Sequence, residues 1–477
     1  NLIDMNENEW ESLCDKCGKC CVIKLEDFDT QQVHYTNVSC KLLCEKSASC
    51  KDYENRKSIV SDCIILSPDN LKDLKWMPET CAYKLLNEGK KLPYWHPLLS
   101  GNDKEIVFQN SYGIKNPQTN EAFKKNDIFR IASMTKAITS FAIMKLWEKG
   151  KIGLDDPVHK YIPEFASVEI LDSFNKNDSS FTTKKRINDI TIRHLLTHTS
   201  GIGYDFIDGN PFIKAIYHKK KQSFMKYGVL CFCDQDVTIG ESIEKLSGVP
   251  LHHQPGEKYT YGIGLDVLGY VIEIVSGKPL DVFFKEEIFD PLEMNDTYFY
   301  IPKEKENRLV PVLTFNSGLS YNNNLPKDKK GEWSIFEDER FNVNYPIEGE
   351  KKFFAGGCGL SSTVQDYYNF LSLFINDGRF KENQIISKST NDMIFKNQLS
   401  KDFNTSIGLV FGITRNEDSW FDKKGRAGVL HWGGYWNTNF FADPHNKIIG
   451  LIYKQTQNTN ENSWHKFRDV IYSSIDN

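Results

Sequence analysis

The sequence predicts an α+β chain in which a small cysteine-rich domain precedes a larger domain with an antiparallel sheet, flanking helices and a helical subdomain. Nine of the 12 cysteines lie before residue 82. Between residues 405 and 455, four strand-like segments follow one another across short turns, which is typical of an antiparallel sheet. An apolar helix begins at Ala137. We therefore predict a cysteine domain at 1–100 and a second domain at 105–477, whose helical subdomain covers about 150–345.

The overall composition excludes several classes of protein. The chain has 477 residues and a formal net charge of -5, so no strongly basic face is indicated and nucleic acid is not an expected partner. The longest apolar runs are far too short to span a bilayer. No secretory signal is visible, and we expect a cytoplasmic location. The sequence does not indicate an oligomeric state.

Four thiols lie in one short loop, Cys14-Asp-Lys-Cys17-Gly-Lys-Cys20-Cys21. A spacing of two residues lets a turn direct two sulfurs at one metal, which favours zinc or an iron–sulfur cluster. The adjacent Cys20 and Cys21 do not easily bind one ion together, which indicates a cluster or a second site. Two other interpretations stay open: a disulfide framework, which needs an oxidising compartment, and a set of reduced thiols without metal.

A serine and a lysine lie near the start of the apolar helix. Ser133 and Lys136 are at positions i and i+3, on one face of its first turn. Burial and the partial positive charge of a helix N-terminus both disfavour the charged form of the lysine amine. A neutral lysine can accept the proton of a neighbouring serine, which makes a nucleophile without histidine.

The Ser-x-x-Lys pattern has little specificity by itself, because short motifs need a structural context. The chain repeats it at four other places: Ser173/Lys176, Ser223/Lys226, Ser242/Lys245 and Ser463/Lys466. Only the pair at Ser133 opens an apolar helix, so we take that pair as the candidate.

Other chemistry-bearing residues follow downstream. Tyr261 lies in a turn just ahead of a helix, with Tyr259 as the rival for its role, and Gly433 and Gly434 lie in a strand. Glycines in strands often mark the close approach of a ligand or of another backbone. A serine, a basic side chain, a tyrosine and an exposed strand edge together indicate an acyl-transfer site.

His194 and His198 have helical i, i+4 spacing, which could suggest a metal pair. No acidic residue lies between them in the zinc-protease pattern. We therefore expect structural histidines.

The first hundred residues resemble the UPF0260 cysteine-cluster family, which is described as zinc- or iron-chelating. The resemblance is carried, in order, by WESLCDKCGKCC, YTNVSCKLL, CKDYENR, DCIIL and LKWMPETCAYKLLNEGKKLPYWHPLLSG. Ala48 occupies a position where the family often has a cysteine, and Cys44 lies nearby. The resemblance implies metal ligation by eight cysteines: Cys14, Cys17, Cys20, Cys21, Cys40, Cys50, Cys63 and Cys81.

From about residue 110 to 455 the chain resembles the serine β-lactamase-like, penicillin-binding-protein-like superfamily, and within it the class C-like branch that includes serine carboxylesterases. The matching words are FRIASMTKAITS, GLDDPVHKYIPEF, HLLTHTSG, PGEKYTYGIGLDVLGYVIEIVSGKPL, DPLEMNDTYF, AGGCGLSSTVQDYYNFL and HWGGYWNTNFFADP. The resemblance implies a β-lactamase/transpeptidase-like fold that works without a cofactor.

The resemblance also implies roles. Ser133 is expected to be the nucleophile, with Lys136 as its partner in proton transfer and Tyr261 sharing the work of the base. Trp432, Gly433 and Gly434 occupy the position of the family's Lys-Thr-Gly strand motif. The backbone N–H groups of Ser133 and Tyr435 are expected to form the oxyanion hole.

Two departures from the family pattern bear on the substrate. Members that act on β-lactams usually have asparagine two residues after the tyrosine, where this chain has Ile263. They usually have lysine in the strand motif, where this chain has Trp432. Both changes remove polar recognition of an antibiotic, and Trp432 and Tyr435 offer an aromatic wall instead. We therefore expect a small uncharged ester as substrate.

The family normally has a further helix and strand before this point, and the cysteine domain leaves no room for them. Three explanations stay open: the cysteine domain supplies a substitute, the sheet lacks part of one side, or two neighbouring genes have been joined. Two competing functions remain: a metal- or redox-responsive binding protein with an inactive lactamase-like scaffold, and a β-lactamase or D-amino peptidase.

Overall fold

The computed structural model places most of the chain. It describes residues 2–14, 17–27, 33–44, 49–74, 76–78, 81–92, 96, 98, 108–204, 210–219, 236–316, 331–336, 345–403, 405–415, 427–457, 459 and 462–475. The chain divides into two compact units, Asn1–Gln109 and Asn110–Asn477. Each unit is described by itself below. No helix in these ranges is long and apolar enough to cross a membrane.

The first unit consists of short elements. Its described helices are Leu2–Asp4, Glu7–Ser12, Lys19–Cys21, Arg56–Ile59, Leu71–Asp73 and Ala82–Asn87. Its described strands form two antiparallel pairs, Val22–Glu26 with Val33–Ser39 and Leu43–Cys44 with Ser49–Cys50. The buried core is small and consists of Leu13, Leu71, Met77, Ala82 and Tyr83.

Two contacts connect the ends of this unit. The Tyr83 ring packs on Trp10 with a centroid distance of 4.9 Å, and its hydroxyl donates to the Trp10 carbonyl at 3.0 Å. Between these residues lie most of the cysteines, so the core contact closes the cysteine-bearing segment into one unit.

The second unit contains the larger helices and a large common core. Its described α-helices are Thr135–Glu148, Ile192–Leu196, Pro211–Lys219, Ile239–Leu246, Gly264–Ser276, Leu280–Phe284, Val364–Ile375, Lys388–Ile394 and Ser463–Ile475. Short 3-10 turns occur at Ala132–Met134, Val158–Lys160, Pro163–Ser167 and Lys303–Arg308, and a π-helical turn occurs at Lys285–Phe289.

The helix Thr135–Glu148 lies at the centre of this unit. Every residue from Thr135 to Leu146 is buried, which is unusual for a helix of a globular domain and indicates contacts on all sides. It packs against the helix Gly264–Ser276, and Phe141 contacts the rings of Phe370 and Phe374.

The main sheet has four described antiparallel strands, in the order Gly412–Ile413, Leu430–Gly433, Asn439–Asp443 and Ile448–Ile452. Neighbouring phenylalanines of one strand point to opposite faces, as the two-residue period of a strand requires. Phe440 packs on Tyr367 of the helix Val364–Ile375, and Phe441 packs on Tyr472 of the C-terminal helix. Helices therefore flank the sheet on both faces, and the predicted α+β architecture is confirmed.

Among the described residues, Ile448–Ile452 is an edge strand of this sheet. Whether the sheet lacks a strand on one side stays a prediction, because residues 99–107 lie outside the described part of the chain. The remaining strands form small groups: Ile114–Asn116 with Glu121–Ala122, Phe129–Arg130 with Ser361–Ser362, Ile170–Phe174 with Phe181–Lys184, Arg379–Phe380 with Asn383–Gln384, and the trio Trp333–Ile335, Leu313–Phe315 and Thr456–Gln457.

Two local predictions are wrong. Residues 160–185 were expected to be irregular because they are polar, but they contain the hairpin Ile170–Phe174 and Phe181–Lys184, whose outward side chains are the polar ones. The helix expected at 191–202 covers only Ile192–Leu196, because His198 has a φ of 55° and the chain leaves the helix before it.

Two segments that were expected to be strands form only short strands within their described residues. In the segment 105–114, residues 105–107 lie outside the described part, and the strand starts only at Ile114. The segment IGLVFGIT contributes only Gly412–Ile413 to the sheet.

Candidate active site

The serine is presented by a sharp turn at the start of the central helix. Ser133 lies in the 3-10 turn Ala132–Met134, which runs directly into the helix Thr135–Glu148. Ala132 is fully buried and has a φ of 45°, a left-handed conformation that non-glycine residues rarely adopt. Strain of this kind is typical of functional turns, where the surrounding structure holds the backbone in place.

Lys136 is the polar centre of the site. Its side chain is buried, and its Nζ donates to Ser133 Oγ at 3.2 Å, to the hydroxyl of Tyr204 at 2.9 Å and to the carbonyl of Gly357 at 2.7 Å. The amine is therefore held in a fixed position beside the serine.

Tyr261 completes the contact set of the serine. Its hydroxyl donates to Ser133 Oγ at 2.8 Å, and its ring lies below the lysine, with 4.9 Å from Lys136 Nζ to the ring centroid. The rival Tyr259 has no described hydrogen bond to the serine, and its ring lies 5.9 Å from that of His198. The structure thus brings Ser133, Lys136 and Tyr261 together.

Tyr204 was not expected from the sequence. It is buried, and its hydroxyl accepts from Lys136 Nζ at 2.9 Å. It lies in the loop after Gly203, where no periodic pattern marks it. The signal that could have found it is the word HLLTHTSG, which carries the family resemblance and ends at Gly201, three residues before Tyr204.

The strand Leu430–Gly433 ends beside the turn that carries Ser133. Gly434 N donates to Thr438 O at 2.7 Å, and a Cβ atom at Gly434 would lie 2.4 Å from the carbonyl oxygen of Ile131. Only glycine allows this approach. The predicted close contact of the strand glycines with another backbone is therefore present at Gly434.

Aromatic side chains form one wall of the site. The ring of His198 lies 4.7 Å from that of Tyr261 and stacks on Trp432 at 6.1 Å with an interplanar angle of 15°. Burial and the charge of Lys136 lower the pKa of His198 to about 3, so the imidazole is neutral. His198 is thus a packing residue, as expected. His194 accepts from Thr191 N at the start of its helix, and the described residues around the two histidines form no metal-binding group.

The residue two positions after Tyr261 is apolar and buried. Ile263 is fully enclosed at the start of the helix Gly264–Ser276. Trp432 and Tyr435 are partly exposed on the strand side. The two positions that usually carry asparagine and lysine in β-lactam-acting members therefore present hydrocarbon and aromatic surface.

The other Ser-x-x-Lys pairs differ from the pair at Ser133. Ser173 bonds to Thr182 across its hairpin, and Ser463 accepts from Lys454. Ser223 and Lys226 lie outside the described residues. The context argument from the sequence thus selects the pair whose side chains bond to each other.

The N-terminal cysteines are the candidate metal donors. Nine cysteines lie in this unit, and they include all eight of the predicted ligands. Sγ of Cys20 lies 3.8 Å from Sγ of Cys21, and Cys40 N donates to Cys21 O at 2.7 Å. Electrostatic coupling also connects Cys21 with Cys50 and Cys63. The backbone thus gathers several of the predicted ligands around Cys21.

The fit to a metal is partial. Zinc–sulfur bonds of about 2.3 Å in a tetrahedron separate neighbouring sulfurs by about 3.8 Å, which is the distance between Cys20 and Cys21. Their mutual hydrogen bond lowers the pKa of Cys21 and raises that of Cys20, so one thiol of the pair is the easier to ionise. Within the described residues, no three side chains close around one ion. The donor chemistry suits zinc or iron, and the ligand geometry is not closed. Cys358, in the second unit, is disulfide-bonded.

Two family models match the chain. The model described as "Beta-lactamase" matches residues 99–469, and the model described as "Putative zinc- or iron-chelating domain" matches residues 13–82. A UPF0260 protein from Parvibaculum lavamentivorans is 56% identical over 105 residues, which is 22% of this chain and 69% of the relative. One from Vibrio atlanticus is 52% identical over 105 residues, 22% of this chain and 72% of the relative.

Solved structures match the second part. Simvastatin synthase (LovD) from Aspergillus terreus has a TM-score of 0.62 and 20% identity over 79% of this chain and 91% of its own. EstCE1, named a hydrolase with promiscuous acyltransferase activity, has a TM-score of 0.60 and 19% identity, over 78% of this chain and 90% of its own. A penicillin-binding protein from Bacillus halodurans has a TM-score of 0.53 and 16% identity, over 77% of this chain and 91% of its own. These likenesses confirm the β-lactamase/transpeptidase-like fold. The chain belongs to the beta-lactamase family, and its N-terminal part belongs to the UPF0260 family.

Proposed function

We propose that the chain is a serine carboxylesterase that works through an acyl-enzyme on Ser133. The observation that carries this proposal is the double contact of Ser133 Oγ, which lies 3.2 Å from Lys136 Nζ and 2.8 Å from the Tyr261 hydroxyl. An amine and a phenol, the two groups to which we assign the work of the base, converge on a hydroxyl at the start of a buried helix, which is the arrangement of an activated nucleophile.

The reaction proceeds in two halves. Ser133 Oγ attacks the ester carbonyl while its proton passes to the Lys136 and Tyr261 pair. The tetrahedral oxyanion is held by the backbone N–H groups of Ser133 and Tyr435. The same proton then goes to the departing alkoxide, and the alcohol leaves. Water attacks the acyl-enzyme in the second half with proton transfer through the same pair, and a carboxylic acid is released.

The lining of the site favours an uncharged ester. Trp432, Tyr261 and His198 form an aromatic wall, and Ile263 is buried where an amide-binding asparagine would stand. A flat apolar wall binds an acyl chain or an aromatic group by contact area. The hydrolase and acyltransferase activities in the name of EstCE1 support acyl transfer on this fold.

The test compares esters with a β-lactam. We expect the purified protein to hydrolyse p-nitrophenyl esters, with a higher kcat/KM for butyrate than for acetate, and to leave a chromogenic cephalosporin almost unchanged. Ser133→Ala abolishes the ester activity, and Ser173→Ala, which removes an exposed serine of another Ser-x-x-Lys pair, retains it. Cephalosporin turnover faster than ester turnover would replace this proposal with a β-lactamase.

A second proposal concerns the N-terminal unit. We infer that it binds zinc or an iron–sulfur cluster through its cysteines, because several predicted ligands gather around Cys21. The purified protein is expected to contain metal by mass spectrometry. Cys21→Ser lowers the metal content, and Cys44→Ser, outside the predicted ligand set, lowers it less. Metal binding without any ester activity would favour the alternative of a metal-responsive protein with an inactive scaffold.

A cytoplasmic location belongs to this second proposal. A unit that binds zinc or iron through its cysteines needs thiols that stay reduced, and thiols persist in a reducing compartment. The disulfide at Cys358 does not fit this location.

A further inference from the structure

A segment with two glycines passes between the two helices that build the site. On one side lies the helix Thr135–Glu148, from which Thr139 Oγ1 donates to the Gly356 carbonyl at 2.6 Å. On the other side lies the helix Gly264–Ser276, where a Cβ atom at Gly356 would be 2.8 Å from the Leu265 carbonyl oxygen. The segment therefore contacts both helices closely, and there is no room for a side chain at Gly356.

Gly357 connects one charged residue of each helix. Its N–H donates to Asp266 Oδ1 at 2.9 Å, and its carbonyl accepts from Lys136 Nζ at 2.7 Å. A Cβ atom at Gly357 would lie 2.2 Å from Asp266 Oδ2. The carboxyl group thus lies against the backbone that holds the lysine, in a space that only glycine leaves open.

Asp266 is an unusual acid for the first turn of a helix. Its side chain is 1% exposed, and its Oδ2 has no hydrogen-bond partner within the residues that the structure describes. Burial raises the pKa of Asp266 to about 6, and the charge of Lys136 opposes this shift. A buried carboxylate with an unsatisfied oxygen is unfavourable unless a cation compensates it. The ammonium form of Lys136 is the cation that acts on it.

We propose that Asp266 is a positioning residue of the Ser133 site. It holds Gly357 so that the glycine carbonyl fixes the amine of Lys136, and its carboxylate is the counter-charge of the ammonium that forms when Lys136 takes the serine proton. This inference rests on the proposed function of the site. Asp266 itself touches neither the serine nor the substrate, so it acts through Gly357 and through its charge.

The direct test is Asp266→Asn, which keeps the size of the side chain and an acceptor for Gly357 N–H but removes the charge. The titratable groups that face Lys136 are Tyr204, Tyr261 and His198, and none of them changes in this variant. Without its counter-charge the ammonium form is less favourable. We expect the acid limb of the kcat profile to move to lower pH by about one unit.

The size of the rate effect follows from the lower basicity of Lys136 in this variant. In the plateau of the profile, kcat of Asp266→Asn is expected to fall about tenfold, with KM for an uncharged ester changed by less than about twofold. Active-site titration with a fluorophosphonate counts the folded, competent molecules, so rates per titrated site do not depend on how much protein is folded.

The matched control is Asp366→Asn. Asp366 is also buried, burial also raises its pKa, and its carboxylate accepts from Asp296 N at 2.7 Å and from Thr297 at 2.8 Å. This variant is expected to lower stability and to keep the pH profile of the wild type. A purely structural role of Asp266 would give the same result as the control.

A second variant reaches the same carboxylate from the other side. Gly357→Ala places a Cβ atom against Asp266 Oδ2 and is expected to shift the profile in the same direction. If both variants keep the wild-type pH profile and rate per titrated site, the inference is overturned while the esterase proposal stands. If the wild type does not react at Ser133 at all, the esterase proposal fails and this inference fails with it.

Discussion

The hydroxyl of Tyr261 lies 2.8 Å from Oγ of Ser133, although 128 residues separate them in the chain. Tyr259, two residues away, has no described contact with the serine, and burial raises the pKa of its phenol, which makes it harder to ionise. Of the two tyrosines, only Tyr261 has the position of a proton acceptor for the nucleophile.

Replacement of these tyrosines separates their roles. Tyr261→Phe is expected to lower kcat/KM for a p-nitrophenyl ester by about 100-fold or more, the range of a lost general base. Tyr259→Phe, matched in chemistry and nearly in position, is expected to change it by about twofold, because it removes no contact of the serine. Steady-state kinetics of the two variants measures both effects, and a larger loss in Tyr259→Phe would reverse the assignment.

Tyr204 is expected to hold Lys136 in place. Tyr204→Phe removes a hydrogen bond of 2.9 Å from a buried amine, and bonds to charged groups contribute about 1.5–3 kcal/mol. We expect kcat to fall by about 10- to 100-fold with little change in KM. Tyr217→Phe is the control, because Tyr217 is equally buried and its described hydrogen bond, of 3.3 Å, goes to the Gly203 carbonyl rather than to Lys136. Equal losses in the two variants would indicate a packing effect.

The glycines of the strand motif differ in how closely they are packed. At Gly434 an added Cβ atom meets Thr438 Oγ1 at 2.2 Å and the carbonyl of Ile131 at 2.4 Å. At Gly433 its nearest neighbour is the flexible end of Asn439, at 2.7 Å. Gly434→Ala is expected to lower the free energy of unfolding by about 1–3 kcal/mol and to displace the turn before Ser133.

Urea unfolding and ester kinetics compare this variant with Gly433→Ala. The flexible amide of Asn439 can move aside, so Gly433→Ala is expected to be the milder change in both measurements. Equal stability of the two variants would show that the strand end does not press on the turn.

His198 is expected to make stability depend on pH. Its pKa is lowered to about 3 in the folded chain, against about 6.5 when unfolded. Between these values the unfolded chain binds the proton and the folded chain does not, so the free energy of unfolding falls as pH falls below 6.5. The slope from this one group is at most about 1.4 kcal/mol per pH unit.

Asp266 acts in the opposite direction in part of that window. Its raised pKa lets the folded chain bind a proton between about 4 and 6, which favours the folded state as the pH falls. The free energy of unfolding in urea is therefore measured at pH 7, 6 and 5 for both the wild type and His198→Asn, because the contribution of Asp266 is common to both. We expect the variant to lose less stability per pH unit. A steeper loss in the variant would contradict the assignment of a neutral buried imidazole.

The sequence pattern predicted those site residues that are close together in the chain or that belong to a motif of the family. Ser133 and Lys136 share one helical turn, and the helix after them is predicted by its regularly spaced apolar residues. The contact of Tyr204 with Lys136 and that of Asp266 with Gly357 depend on chain segments distant in sequence. An aspartate in a first helical turn ordinarily lies in water, where it interacts with the helix dipole. Its burial at Asp266 follows only from the packing of the two-glycine segment.

The hairpin at residues 170–184 shows the same limit for the fold. Its strands carry many polar side chains, and the sequence pattern alone favoured an irregular segment. Pairing between the two strands satisfies the hydrogen bonds of their backbone groups. Such pairing depends on the surrounding fold and is not indicated by the composition of the segment.

The central claim is that Ser133 is an activated nucleophile. Incubation of the purified protein with a fluorophosphonate, followed by peptide mass spectrometry, tests it most directly, with Ser133→Ala and Ser463→Ala as paired controls. The account predicts one label on Ser133, lost in Ser133→Ala and kept in Ser463→Ala. A folded protein that takes up no label, or takes it up on another serine, would contradict it.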